Sequence, residues 1–198
     1  MGKVLGIGLG RTGTTSLTYA LRDLGYHARH CPYRLLRRDE RGVVVLDMER
    51  AARLDAITDL PVARFYRELD HVFPSSKFIL TIRDADSWVC SMRKIFLMNT
   101  AISLLPKTRE IFYDIYGTRM LSRTDILIER FNAHNREVQA HFADRPGDLL
   151  VLDVRVPDAL GELCRFLGKP VPPRGAAFPK LHSGRFTTLR NVWDFIAP

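Results

Sequence analysis

Cysteine is scarce in this sequence, and the few cysteines present are not arranged in a motif. The 198 residues contain three, Cys31, Cys90 and Cys164, and no C-x-x-C pair. An odd number at wide spacing argues against a disulfide framework and against a zinc site. It favours a reducing compartment, so we expect a cytoplasmic protein.

Long hydrophobic runs are also absent. The most apolar stretch, IFLMNTAISLLP at residues 95–106, is interrupted by polar residues and ends at a proline. A membrane-spanning helix needs about 20 predominantly apolar residues, so we expect no membrane span. No charged-then-apolar leader precedes the first predicted strand, and we expect no cleaved signal.

Acidic side chains are outnumbered by basic ones. Thirty Lys and Arg against 22 Asp and Glu give a formal net charge of +8, which suits an anionic ligand, a nucleic acid or an anionic membrane surface. The basic stretches lack the interleaved aromatic residues of an RNA-stacking surface, so we expect no nucleic-acid partner. Repeats and linker-like composition breaks are absent too, which predicts a single domain over residues 1–198 with a helical insertion at about 95–145.

What the sequence does contain is an alternation of short apolar runs with helical patterns. This alternation predicts an α/β fold in three layers, a parallel sheet with helices on both faces, of the P-loop nucleotide-binding type. Residues 33–54 are ambiguous, because GVVVLDM is typical of a strand and MERAARLD of a helix. The predicted strands are 3–9, 26–30, 55–59, 77–83 and 148–155, and the predicted helices are 14–24, 84–96, 107–121, 123–142, 157–168 and one opened by Pro61 that runs to residue 73.

Ligands of such sheets bind beyond the carboxyl ends of the strands. The residues at those ends are the loop 8–15, His30, Asp59, Arg83 and residues 153–155. We therefore expect these polar groups to converge on one site.

The loop GLGRTGTTSL, residues 8–17, has the outline of a phosphate-binding loop. Against the pattern G-x-x-x-x-G-K-S/T, Gly8, Gly13 and Thr15 match, but Thr14 occupies the lysine position and Arg11 lies inside the loop. Backbone amides at a helix N-terminus and nearby hydroxyls donate to anionic oxygens. The predicted contacts to a phosphate or sulfate are Gly10, Arg11, Thr12, Gly13, Thr14, Thr15 and Ser16.

A second candidate anion site follows the clearest strand. Arg83 ends that strand and Ser91 lies eight residues further on, two turns into the next helix. A guanidinium offers a bidentate fork and a hydroxyl adds one more donor. Taken alone, the pair is better explained by a surface arginine and an incidental helix serine.

Together these segments resemble the sulfotransferases that use 3′-phosphoadenylyl sulfate (PAPS). GLGRTGTTSL resembles their 5′-phosphosulfate loop, and ILTIRDADSWVCSM resembles their 3′-phosphate motif, with its arginine and serine eight apart. LCRFLGKPVPPRGAAFPKLHS, residues 163–183, resembles their C-terminal segment. The resemblance implies PAPS as co-substrate, adenosine 3′,5′-bisphosphate (PAP) as product, and no need for a metal ion.

The resemblance also places Arg11 at the family's basic position. There it would stabilise charge on the departing phosphate electrostatically and not as a proton donor, because guanidinium stays protonated in proteins. The proton of the attacking group needs an acceptor. His30, in a stretch similar to the family's glycine–aromatic–x–x–x–His pattern, is the first candidate, and Asp59 is the second. Asp59 is alternatively the N-cap of the helix opened by Pro61.

Other side chains are open to two interpretations. Arg174, Lys180 and Arg185 lie in the C-terminal loop that, in related enzymes, covers the 3′-phosphate or the adenine, although a basic loop is often simply solvated. Trp88 is expected to pack in the core and not against adenine. Within the 95–121 segment, the apolar stretch 95–106 and the nearby Phe112, Tyr113 and Tyr116 form either a helical core or a lid or acceptor pocket.

Two other function classes compete with this hypothesis. LLVLD, residues 149–153, mimics the strand-plus-aspartate Mg²⁺ site of a P-loop kinase or NTPase, against which stands Thr14 in the lysine position. A non-catalytic basic nucleotide- or RNA-binding protein is the other. Under the sulfotransferase hypothesis the acceptor is a hydroxyl, or less favourably an amine, of a small-molecule or carbohydrate-like compound.

Overall fold

A parallel five-stranded sheet forms the centre of the fold in a computed structural model of the chain. The structure describes residues 2–98, 106–118, 122–173 and 176–179, and for residues 94–98 it describes the backbone only. The strands of the described residues are β1 (Val4–Gly6), β2 (Ala28–His30), β3 (Leu36–Arg38), β4 (Val44–Leu46), β5 (Ala56–Thr58), β6 (Lys77–Thr81) and β7 (Leu149–Leu152). The sheet order is β2-β5-β1-β6-β7, with every neighbouring pair parallel. The predicted parallel α/β sheet is confirmed.

Helices cover both faces of this sheet. They are α1 (Thr14–Asp23), α2 (Met48–Ala52), α3 (Tyr66–Val72), α4 (Ala85–Met98), α5 (Pro106–Tyr116), α6 (Thr124–His141) and α7 (Ala159–Phe166). Successive residues of β6 enter different apolar clusters, because side chains alternate across a strand. Phe78 and Leu80 pack with residues of α3, α4 and α6, whereas Ile79 packs with residues of α1 and α7. The three predicted layers are therefore present.

The ambiguous segment 33–54 contains both kinds of structure. β3 and β4 form an antiparallel hairpin apart from the main sheet, in which Leu36 lies opposite Leu46. α2 follows directly, and Asp47 caps it by accepting a hydrogen bond from the Arg50 N–H at 3.0 Å. GVVVLDM therefore contains a strand, β4, and MERAARLD contains a helix, α2, as their patterns indicated.

The helix predicted to open at Pro61 is wrong, and so is the N-cap role that this helix offered to Asp59. Residues 61–65 form successive turns, and α3 begins only at Tyr66, preceded by Phe65. Asp59 has a left-handed backbone (φ 68°) and its carboxylate accepts the adjacent Leu60 N–H at 2.7 Å. The chain therefore turns sharply after β5, and the helix starts later than the proline suggests.

Helices α4, α5 and α6 lie between β6 and β7, where the helical insertion was predicted. The described part of α5 packs into the core through Ile111 and Tyr116, each 1% exposed, while Tyr113 faces solvent. Residues 99–105 and 119–121 of this region lie outside the described residues. Within the described part of the chain, none of the helices combines the length and the apolar character needed to cross a membrane.

Candidate active site

The loop between β1 and α1 is held in a shape that only glycine permits at two positions. A Cβ at Gly8 would lie 2.1 Å from the Thr81 Oγ1 on β6, so the loop leaves the sheet in close contact with that strand. Gly13 has φ 103° and directly precedes α1, and a Cβ there would lie 2.3 Å from Val154 Cγ2. The N-cap residue of α1 is Gly13 itself, which has no side chain to bond the first amides of the helix, and those amides have no intrahelical acceptors.

Two threonines of the loop are tied to neighbouring strands. The Thr12 hydroxyl donates to the Leu9 carbonyl at 2.7 Å and lies 2.5 Å from the Thr81 hydroxyl at the end of β6. The Thr14 hydroxyl donates to Asp59 Oδ2 at 2.6 Å, just beyond the end of β5. Both threonines are buried, so their side chains fix the loop from inside.

A third threonine faces the histidine that ends β2. Thr15 Oγ1 lies 3.1 Å from His30 Nε2, and Asp59 Oδ2 lies 3.7 Å from the same nitrogen. On the other side of the ring, His30 Nδ1 lies 3.3 Å from the Thr58 hydroxyl and 3.4 Å from the Thr18 hydroxyl. His30 and Asp59, the two candidate bases, are 8% and 7% exposed. Both are therefore mostly buried, and they lie close to each other.

Arg11 and Arg83 converge on the same side of the loop. Arg11, itself in the left-handed region (φ 75°), donates from Nε to Ser91 Oγ at 2.9 Å, and Arg83 Nη1 donates to the Arg11 carbonyl at 3.3 Å. Burial, and then the charge of Arg83, lower the pKa of Arg11, while Asp59 acts in the opposite direction. Two cations therefore lie beside the uncapped start of α1.

Each of these arginines donates to a serine of α4. Ser91 is bonded to Arg11, and Arg83 donates from Nε to Ser87 Oγ at 2.7 Å, four residues along the chain. Ser87 was missed by the sequence analysis. Its signal is the i, i+4 spacing from Arg83 across the start of α4, which brings the two side chains together.

Trp88 packs in the core. Its ring is fully buried and stacks on Phe131 with centroids 4.4 Å apart. Its indole Nε1–H donates to the Gly10 carbonyl at 2.8 Å, so α4 also fixes the backbone of the loop. Tyr116, the last residue of α5, lies against the Trp88 ring with centroids 6.1 Å apart. Burial, followed by the charge of Asp59, raises the pKa of Tyr116 well above the ordinary value.

The aspartate of the LLVLD segment is engaged by a neighbour. Arg155 donates to both carboxylate oxygens of Asp153, at 2.8 and 2.7 Å. These bonds are the largest cause of the lowered pKa of Asp153. Among the described residues, no group of three or more His, Cys, Asp or Glu side chains is placed to hold a metal ion.

Of the predicted site residues, the loop 10–16, His30, Asp59, Arg83 and Ser91 meet at the carboxyl edge of the sheet. The predicted C-terminal cations Arg174, Lys180 and Arg185 lie outside the described residues.

Comparison with known proteins matches the chain to one family. The family model described as "Sulfotransferase domain" covers residues 3–186. A relative from Aspergillus versicolor, "Ava biosynthesis cluster protein M", is 28% identical over an alignment 232 positions long, which covers 96% of this chain and 85% of the relative.

Proposed function

This chain belongs to the sulfotransferase domain family, and on that basis we propose that it transfers a sulfuryl group from PAPS to an acceptor hydroxyl, releasing PAP. The transferase activity and the α/β fold follow from the family. The donor and the acceptor class are the proposal. The observation that carries it is the convergence of Arg11 and Arg83 beside the uncapped N-terminus of α1.

The residues at this edge fit the anionic end of such a donor. The first amides of α1 point outward from a helix whose dipole favours negative charge at that end. Burial is the largest cause of the lowered pKa of Arg11, and repulsion by the charge of Arg83 is the second. An anion between them would relieve that repulsion and accept hydrogen bonds from the first amides of α1, which have no intrahelical acceptors. We propose that the loop Gly10–Ser16 binds the phosphosulfate and that Arg83 and Ser91 bind the 3′-phosphate.

Arg11 is the proposed stabiliser of the leaving group. Bound PAPS supplies an activated sulfuryl group on a phosphate that becomes more negative as the bond to sulfur breaks. Arg11, held by Ser91 and partly buried, presents a fixed positive charge to that phosphate. It acts by charge alone, because a guanidinium keeps its protons.

His30 is the proposed acceptor of the proton from the attacking hydroxyl. Its Nε2 faces the loop through Thr15, whereas both oxygens of Asp59 already accept hydrogen bonds, from Leu60 and Thr14. Asp59, 3.7 Å from the same ring nitrogen, would stabilise the imidazolium that forms. We therefore assign proton transfer to His30 and charge stabilisation to Asp59.

We further propose a small-molecule or carbohydrate-like acceptor and a cytoplasmic enzyme that requires neither a metal ion nor a nucleic-acid partner. The name of the Aspergillus relative places that protein in a biosynthesis cluster, which supports a small-molecule acceptor. The three cysteines of this chain are free, which supports a reducing compartment.

Thermal-shift binding tests the donor. The full chain is titrated with PAP in the presence of EDTA and, separately, with ATP and Mg²⁺. PAP at about 100 times its Kd should stabilise the protein by about 2.7 kcal/mol. Arg83→Ala should weaken PAP binding about 10- to 100-fold, since a charge-assisted hydrogen bond contributes about 1.5–3 kcal/mol.

Arg145→Ala is the matched control, because it removes an equal charge just before β7, at the opposite edge of the sheet, where Arg145 pairs with Asp70. Its affinity for PAP should match that of the unmodified protein. Stabilisation by ATP and Mg²⁺ alone would refute the proposal in favour of a kinase or NTPase. Equal losses of PAP affinity in Arg83→Ala and Arg145→Ala would show that PAP binding depends only on the net charge of the protein.

A further inference from the structure

We infer that Thr18 and Thr58 set the tautomer of His30, keeping the proton on Nδ1 so that Nε2 is the accepting nitrogen that faces the loop. Both are positioning residues: neither is required to touch the substrate. The inference deepens the proposed function, since its catalytic meaning rests on His30 as the proton acceptor. The tautomer of His30 itself does not depend on that function.

The assignment follows from counting the protons in a chain of hydroxyls. Thr18 Oγ1 lies 2.9 Å from the Thr14 carbonyl, and a carbonyl only accepts, so the single hydroxyl proton of Thr18 is committed there. Thr58 Oγ1 lies 2.5 Å from Thr18 Oγ1, so Thr58 must be the donor of that bond. Each hydroxyl then has only lone pairs left to offer.

These lone pairs face the same nitrogen of the imidazole. His30 Nδ1 lies 3.3 Å from Thr58 Oγ1 and 3.4 Å from Thr18 Oγ1, so it must carry the proton. In the neutral ring the other nitrogen is then an acceptor. Thr15 Oγ1, 3.1 Å from Nε2, donates to it.

Two neighbouring elements present polar groups to His30. α1 presents the hydroxyls of Thr15 and Thr18, and β5 with the residue after it presents Thr58 and the carboxylate of Asp59. Asp59 favours a proton on Nε2, by attraction. The hydroxyl chain acts on Nδ1 and favours the opposite tautomer, so the accepting form of Nε2 depends on that chain.

The same proton count predicts different effects for two isosteric substitutions. In Thr18→Val, the Thr58 hydroxyl loses its acceptor and turns its proton to His30 Nδ1, which drives the ring proton to Nε2. In Thr58→Val, the Thr18 hydroxyl still donates to the Thr14 carbonyl and still offers a lone pair to Nδ1. Thr58→Val is therefore the matched control that loses a buried hydroxyl and keeps the tautomer.

Long-range ¹H–¹⁵N NMR of the full chain with ¹⁵N-labelled histidine tests this, at a pH where the rings are neutral. His134 is an internal reference, because its Nε2 lies 2.8 Å from the Ile7 carbonyl and must carry the proton. We expect His30 and His134 to show opposite tautomers in one spectrum. Thr18→Val should convert His30 to the His134 type, while Thr58→Val and Thr18→Ser should not.

A wild-type His30 with its proton on Nε2 would overturn the inference without any variant. So would an identical tautomer in the two valine variants. If Thr18→Val fails to fold, the wild-type spectrum and Thr18→Ser still decide the matter.

Turnover with PAPS then separates the two proposals. Thr18→Val should reduce kcat in proportion to the fraction of molecules whose His30 no longer has Nε2 as the accepting nitrogen. If half or more of the molecules change tautomer, kcat should fall twofold or more, and the KM for PAPS should not change. Thr58→Val should keep a kcat closer to that of the unmodified chain. A converted tautomer with unchanged kcat would uphold the positioning of the ring and refute His30 as the proton acceptor.

Discussion

Replacing Asp59 distinguishes its structural role from a role in proton transfer. The carboxylate is 7% exposed and accepts two hydrogen bonds, from the Leu60 N–H at 2.7 Å and from the Thr14 hydroxyl at 2.6 Å. Asp59→Ala leaves both donors without a partner. Each orphaned buried donor costs about 1–3 kcal/mol. The left-handed backbone (φ 68°) adds about 1 kcal/mol for alanine, so we expect a loss of about 3–7 kcal/mol in the free energy of unfolding.

Asp59→Asn should be much milder. Its amide oxygen still accepts the Leu60 N–H, its amide nitrogen faces the Thr14 hydroxyl oxygen, and asparagine tolerates the left-handed region. Exchanging two charge-assisted bonds for neutral ones costs about 1–2 kcal/mol. Asp39→Ala is the control, because Asp39 also accepts backbone N–H groups, from Arg41 and Val43, but in an exposed turn. We expect a loss of about 1 kcal/mol there.

Urea unfolding followed by circular dichroism measures these differences, and PAPS turnover completes the comparison. We expect Asp59→Asn to retain turnover within about tenfold, since His30 still accepts the proton, and His30→Gln to lose about 10²–10⁴-fold. Equal stability losses for Asn and Ala would refute the hydrogen-bond reasoning. A collapse of turnover in Asp59→Asn with normal turnover in His30→Gln would assign proton transfer to Asp59.

Two further predictions concern backbone shape and pH. Gly13→Ala should lower the free energy of unfolding in urea by about 1–3 kcal/mol more than Gly25→Ala does. Both glycines have a positive φ, but only at Gly13 would a Cβ also clash, 2.3 Å from Val154. Equal losses in the two variants would contradict this. Burial lowers the pKa of His134 below its usual 6.5. As the pH falls, the unfolded chain therefore binds a proton at this histidine before the folded chain does. The free energy of unfolding should then decrease below about pH 6.5, by at most about 1.4 kcal/mol per pH unit. His134→Gln should remove that part of the pH dependence, and an unaltered slope between pH 5 and 7 would contradict the assignment.

The sheet and the position of the site could be predicted because they depend on local patterns. The apolar run of β6 and the glycine loop before α1 both report their structure within a few residues. Once the strands were assumed parallel, His30 and Asp59 had to lie near the loop, since the carboxyl ends of parallel strands share one edge.

What could not be predicted depends on contacts between distant residues. The turn after Asp59 is fixed by a bond to Thr14, 45 residues earlier, and this overrides the helix signal of Pro61. Likewise Ser91 is held by Arg11 across 80 residues and not by the nearer Arg83. The sequence indicated which polar groups lie at this edge of the sheet but not which of them bond to one another.

The bond between Thr14 and Asp59 also bears on how this loop relates to the lysine-containing loops of nucleotide hydrolases. A lysine introduced at position 14 would start from a side chain directed at a buried carboxylate, 2.6 Å from the present hydroxyl. Its ammonium group would pair with that carboxylate instead of reaching a bound phosphate. We therefore expect Thr14→Lys alone to neutralise Asp59 without giving the loop a phosphate-binding lysine.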